Sequence, residues 1–228
     1  MYQFLIYFTL FIIISCAGWL IEIIYTAIKK RIFTDRGFLL GPYCPIYGIT
    51  SLLMMATLKD YANDIIVLFV MAAVICTIME YITSYIMEKL FKARWWDYSD
   101  IPFNINGRVC LSNSILFGLG AVILLKFASP FLVDKVTHFP VPAFYYIASI
   151  LLIIFTIDVI LSANVILRFK HTVENMQKDH TGEISDRVRK VIMEKSYPLR
   201  RLVMAFPNQV IIGLKKNIWQ RLFPTKKK

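Results

Sequence analysis

Apolar residues run through this chain in long unbroken blocks separated by short polar stretches, without the alternating or one-faced patterns of a water-soluble fold. The blocks Phe4 to Ile28, Ile65 to Met87, Val109 to Leu125 and Ala143 to Leu167 are each extended enough to cross a hydrocarbon layer. That crossing is roughly 30 Å and takes about 20 helical residues. A fifth block, Ile46 to Leu58, is short by itself, but the preceding Gly37-Phe-Leu-Leu-Gly-Pro-Tyr-Cys-Pro45 is also apolar and is interrupted by Gly41, Pro42, Pro45 and Gly48. The pattern predicts an all-α polytopic membrane protein of about five transmembrane helices, the second of them broken.

Basic residues decide whether the broken stretch crosses and which way the chain runs. With five crossings and the N-terminus outside, 23 Lys and Arg fall on the inner side and 3 on the outer, the outer ones being Lys59, Lys126 and Lys135. If the stretch re-enters and leaves on the same side, the better orientation gives only 19 against 7. The expectation is a multi-pass protein of the bacterial inner membrane, N-terminus outside and C-terminus cytoplasmic. Ile13-Ile-Ser-Cys16 imitates a lipoprotein cleavage box, but no Lys or Arg precedes the first block and Glu22 lies within it, so the block is expected to be retained. Cys16, Cys44, Cys76 and Cys110 fall in spans or on the inner side, where disulfides are not expected.

Composition agrees: 57% of residues are apolar and 18% charged, against about a quarter charged in ordinary soluble domains. The net charge of +11 resembles a nucleic-acid signal until it is located. Residues 170–228 hold 14 Lys and Arg against 5 Asp and Glu, so most of the excess sits in a tail and no nucleic-acid partner is expected. The domains read as 1–169, transmembrane and helical, and 170–228, a basic amphipathic cytoplasmic tail. Ile184, Val188, Val191 and Ile192 stand at helical spacing in it, as do Val210, Ile211, Leu214, Ile218 and Leu222 beyond Pro207. With Lys215, Lys216 and Arg221 on its flanks and Trp219 near the head groups, the second segment reads as an interfacial helix on membrane lipid; the alternative is a solvated tail that only sets topology.

Three carboxylates fall inside the spans. Glu22 lies seven residues before Lys29, Glu80 nine before Lys89 and Asp158 ten before Arg168, which puts each about 10 to 15 Å above the inner boundary. An acid at that depth needs a partner or a wet cavity. Glu22 shares a helix face with Ser15, Gly18, Thr26 and Lys29, and Glu80 with Cys76, Thr77, Thr83, Ser84 and Met87. The pattern points to a polar cavity or relay lined by Glu22, Glu80, Asp158, Thr26, Thr83 and Ser84. The alternative is that each acid is hydrogen-bonded to a neighbouring helix as packing glue. Glu22 to Phe33 also aligns without gaps on Glu80 to Phe91, each followed by a Pro-containing segment and a Gly opening the next span, as in a parallel repeat.

Between spans, the loop Arg94 to Arg108 is rich in hydrogen-bonding and aromatic residues. Trp95, Trp96 and Tyr98 suit interfacial anchoring, whereas Asp97, Asn104, Asn106 and Arg108 exceed what a plain connector needs and could bind a polar head group or a partner. Gly41, Pro42 and Pro45 leave backbone groups free, tolerated at membrane depth only when buried in protein or facing water, so that loop is expected to dip into the same cavity.

Gly18-Trp-Leu-Ile-Glu22, Arg36 to Gly48, Met79 to Tyr85, Trp96-Asp-Tyr98 and Pro102-Phe-Asn-Ile-Asn-Gly-Arg108 occur in order. Together they resemble the bacterial family "Putative ABC-transporter type IV" over about residues 15–120. The resemblance implies a multi-pass inner-membrane protein, the permease half of a transporter. No phosphate-binding loop motif is present, so an ATPase would be a separate subunit. No catalytic residue, cofactor or metal site is read from the chain. A transport permease, an integral membrane enzyme acting on lipid head groups, and a membrane scaffold or regulator remain as the three readings, and a further copy of the chain is a candidate partner.

Overall fold

The computed structural model describes residues 1–31, 37–91, 93–178 and 210–211. Five helices carry the fold: α1, Tyr2–Lys30; α2, Pro45–Thr57; α3, Ile65–Phe91; α4, Leu111–Thr137; and α5, Val141–Lys178. Four of them, all but α2, are long and apolar enough to cross a membrane. Most of their large apolar side chains face outward, as in Ile66, Ile78, Ile123, Tyr146 and Ile153. In hydrocarbon such exposure costs nothing, because lipid tails are as apolar as the side chains themselves.

The broken second helix is present as a half-helix. α2 has 13 residues, about 20 Å of rise, and Pro45 occupies its first turn, where the missing N–H would have no helical partner anyway. It runs antiparallel to α1 and begins halfway along it: the Cys44 amide donates to the Ser15 carbonyl at 3.0 Å. From there α2 climbs toward the α1 N-terminus, while 37–44 covers the other half of the crossing without helical hydrogen bonds.

Close approach of α1 and α2 depends on Gly48. A Cβ there would lie 2.3 Å from Ser15 Oγ and 2.7 Å from the Phe11 carbonyl oxygen, a backbone atom that cannot swing aside. Gly48→Ala should therefore force the helices apart and lower the melting temperature of the detergent-solubilised protein, a loss of about 1–3 kcal/mol. Melting identical to the unsubstituted chain would show that the contact has slack.

The helix ends share two levels. At one end Tyr2 packs on Phe144 and Tyr145, and Leu5, Leu10, Val136, Phe144 and Ala148 form a core cluster. A second cluster, Met54, Leu58, Leu68, Ala72, Ala121 and Leu125, ties α2, α3 and α4 together. At the other end Phe38 packs on Phe91 and Trp95. The N-terminus, the α2–α3 turn and the α4–α5 turn thus lie at one end of the bundle, opposite the 94–110 loop.

Two spans run several turns past their predicted limits. The third was expected to stop at Leu125, yet α4 continues through Lys126 to Thr137. Pro130 would ordinarily break it, since it has no N–H for the Lys126 carbonyl and its ring crowds that carbonyl. The ladder widens instead into a π turn over Leu124–Ala128, and the Ser129 hydroxyl takes the Leu125 carbonyl at 3.0 Å. The last helix likewise extends past Leu167 to Lys178.

In the tail, Val210–Ile211 is a two-residue strand antiparallel to Ala93–Arg94. This corrects the helix expected to include Val210 and Ile211: a β-branched pair beside an open backbone edge pairs as a strand. The segment 184–192 and Lys215, Lys216, Trp219 and Arg221 lie outside the described residues.

Candidate functional site

The intramembrane acids fall into two groups, each built on tyrosine hydroxyls, of which the sequence pattern singled out only Tyr98, and that as an interfacial anchor. In the first, Glu22 of α1 accepts a hydrogen bond from Tyr47 of α2 at 2.6 Å, and Glu80 of α3 accepts one from Tyr98 of the following loop at 3.2 Å. Glu22 lies close enough for its charge to act on Glu80 and on both tyrosines, so the two acids belong to one cluster. Burial first, and then the neighbouring Glu80 carboxylate, hold the Tyr98 hydroxyl well above the usual tyrosine range, which keeps it a donor. Glu80 is 6% exposed, and its Oε2 has no hydrogen-bond partner. Thr26, one turn beyond Glu22, is buried; Thr83 is half-buried.

Asp158 forms the second group. Its Oδ1 accepts from the Leu40 amide at 3.0 Å and the Ser162 hydroxyl at 2.8 Å, and its Oδ2 accepts from the Gly41 amide at 2.7 Å and from the Tyr43 hydroxyl in a short hydrogen bond. The Leu40 amide also reaches Ser162 Oγ at 3.1 Å. The irregular stretch before Pro45 has no helical ladder, and this one carboxylate takes up two of its amides. Pro42 is exposed, and Gly41 and Pro45 are half-buried.

A third polar cluster sits where α3 meets the loop. Glu88 pairs with Arg94 at 2.7 Å and Arg108 at 2.9 Å, while Arg94 lies 3.6 Å from Asp97. The Arg108 guanidinium lies over the Tyr81 and Tyr85 rings and donates to Ser84 Oγ at 3.4 Å. Trp96 Nε1 donates to the Arg108 carbonyl at 2.9 Å, and Asn106 Nδ2 to the Tyr81 hydroxyl at 3.0 Å.

The remaining loop residues fold the loop onto itself. Asn104 donates to the Ser99 and Ile101 carbonyls and accepts from the Gly107 amide; Asp97 accepts from the Ser99 amide and hydroxyl. Asn104–Ile105 pairs with Val109–Cys110. Gly107, at φ 66°, has Asp97 Oδ1 and Ser99 Oγ where a Cβ would sit, so only glycine closes this turn without strain.

Of the residues selected from sequence, the structure joins Glu22 with Glu80, sets Asp158 with the broken segment, and places Ser84, Trp96, Asp97, Asn106 and Arg108 around the Glu88 network. Tyr43, Tyr47, Glu88 and Ser162 were not foreseen. The signal for the tyrosines was present in their four-residue spacing across the helix break.

A model of the family "Putative ABC-transporter type IV" matches residues 9–163. No curated protein and no solved structure matches the chain.

Proposed function

The chain belongs to the type IV family, whose model covers well over half of it, and on that footing we propose that it is a transport permease, the membrane half of an ABC-type system. The observation that carries this reading is Glu80, buried in the bundle within electrostatic reach of the half-buried Glu22 and with one carboxylate oxygen left open. Buried acids are expensive in a membrane and are retained where they handle a polar guest. In this reading the working cavity is lined by Glu22, Glu80, Thr26 and Thr83. Asp158, with Gly41, Pro42 and Pro45, shapes its wall.

Glu22 and Glu80 lie on α1 and α3 and reach tyrosines in the segments that follow, the arrangement expected if the two helix-and-return units descend from a repeat. Engagement of Asp97 and Asn104 within their own loop, and of Arg108 with Glu88 of α3, favours transport over head-group chemistry at that end. By the basic-residue count that end is cytoplasmic, where the loop and basic tail would meet a separate ATPase subunit, anionic lipid and, in an assembled transporter, a second copy of the chain.

The test is purification from its native membrane in mild detergent, with mass spectrometry of the proteins retained. An ATPase should accompany the chain, and its ATP turnover in reconstituted vesicles should fall severalfold with Glu22→Gln or Glu80→Gln while both variants accumulate normally, because a neutral isostere eases membrane insertion. Absence of an ATPase, or variants with full turnover, overturns the reading. Loss of the variants from the membrane would assign both acids to packing.

A further inference from the structure

Glu80 Oε2 is a carboxylate oxygen sealed into the bundle without a hydrogen-bond donor, a condition native proteins rarely leave unexplained. Its sister atom Oε1 receives only Tyr98, at 3.2 Å. Among the described residues, the titratable groups around this acid and its tyrosines come from every neighbouring element: Glu22 of α1, Cys44 and Tyr47 at the start of α2, Cys76 one turn away on α3, and Tyr98 and Cys110 of the loop. None of these brings a positive charge. The guanidinium of Arg108 is committed elsewhere, paired with Glu88, bonded to Ser84 and laid over the Tyr81 and Tyr85 rings.

From this geometry we propose that Glu80 is a proton-exchange site, taking up one proton at Oε2 and returning it to solvent as the permease works. The inference rests on the reading of the Glu22–Glu80 cluster as the working site. Uptake converts the carboxylate to a carboxylic acid; only the Oε2–H bond forms or breaks, and nothing is oxidised or reduced. Oε1 remains the carbonyl oxygen that accepts from Tyr98, so the site keeps its tie to the loop in both states. A proton fits better than a metal ion, since a hard cation takes several oxygen ligands and no group of three or more His, Cys, Asp or Glu suited to a metal occurs among the described residues.

Infrared difference spectroscopy on the full chain in detergent, recorded across a pH titration, reads this directly. A carboxylic C=O band should appear and vanish with pH, be absent from Glu80→Gln and persist in Glu88→Gln. Its midpoint should move in Glu22→Gln, where the neighbouring charge is gone. Tyr98→Phe keeps the carboxyl but removes its donor, so the band should shift to higher frequency. If Glu80→Gln does not accumulate, Tyr98→Phe decides. A titrating band unchanged in Glu80→Gln or Tyr98→Phe, or no such band, overturns the proton site while leaving the permease reading in place. A Glu80 band in a protein whose ATP turnover is indifferent to Glu80→Gln instead overturns the permease reading.

Discussion

Asp158→Ala should be among the most damaging single substitutions in this protein, costing about 3 kcal/mol or more. Four hydrogen bonds end on that carboxylate, from the Leu40 and Gly41 amides, the Tyr43 hydroxyl and Ser162. Alanine leaves the Gly41 amide and the Tyr43 hydroxyl without this acceptor, and each stranded buried donor costs about 1–3 kcal/mol. Water cannot readily replace it, because Asp158 is 8% exposed and Tyr43 7%. The expected result is poor accumulation in the membrane and a melting temperature in detergent lowered by many degrees. Asp158→Asn keeps one acceptor oxygen and should fall between. Normal accumulation and melting of Asp158→Ala would show that the 37–44 segment is held by other contacts.

Arg108→Leu is expected to cost about 2–3 kcal/mol, less than the 3–5 kcal/mol of a fully broken buried pair because Glu88 keeps Arg94. The guanidinium also loses its place against the Tyr81 and Tyr85 rings and its bond to Ser84. Arg108→Lys should recover little, since an ammonium cannot present a flat face to those rings while reaching Glu88. The informative comparison is the double variant Arg108→Leu with Glu88→Leu. Thermal melting should show it more stable than Arg108→Leu alone, because it removes the carboxylate left under-compensated. Melting as low as the sum of the two single losses would mean that the two residues act independently.

Sequence alone determined the membrane character, the spans and the broken second crossing. In hydrocarbon a helical span satisfies its backbone from within and is apolar along its length, so the signal is local and survives without tertiary information. The same constraint marked Glu22, Glu80 and Asp158, whose cost at membrane depth makes them conspicuous in any apolar run. What those acids touch was decided only by the fold. Tyr47 lies 25 residues from Glu22, Tyr98 18 from Glu80 and Tyr43 115 from Asp158, and no periodicity reports contacts across such distances. Polar residues of the 94–108 loop were legible as an excess of hydrogen-bonding groups, but whether they face a ligand or one another depends on the turn closed by Gly107. One span end was misplaced for a related reason: the apolar block closes at Leu125, just before Lys126, and a π turn with a serine hydroxyl lets the helix continue through Lys126 and Pro130. Hydropathy sets which segments enter the membrane, because transfer energy adds residue by residue; pairing among the polar groups inside it depends on helix packing, which no single segment encodes.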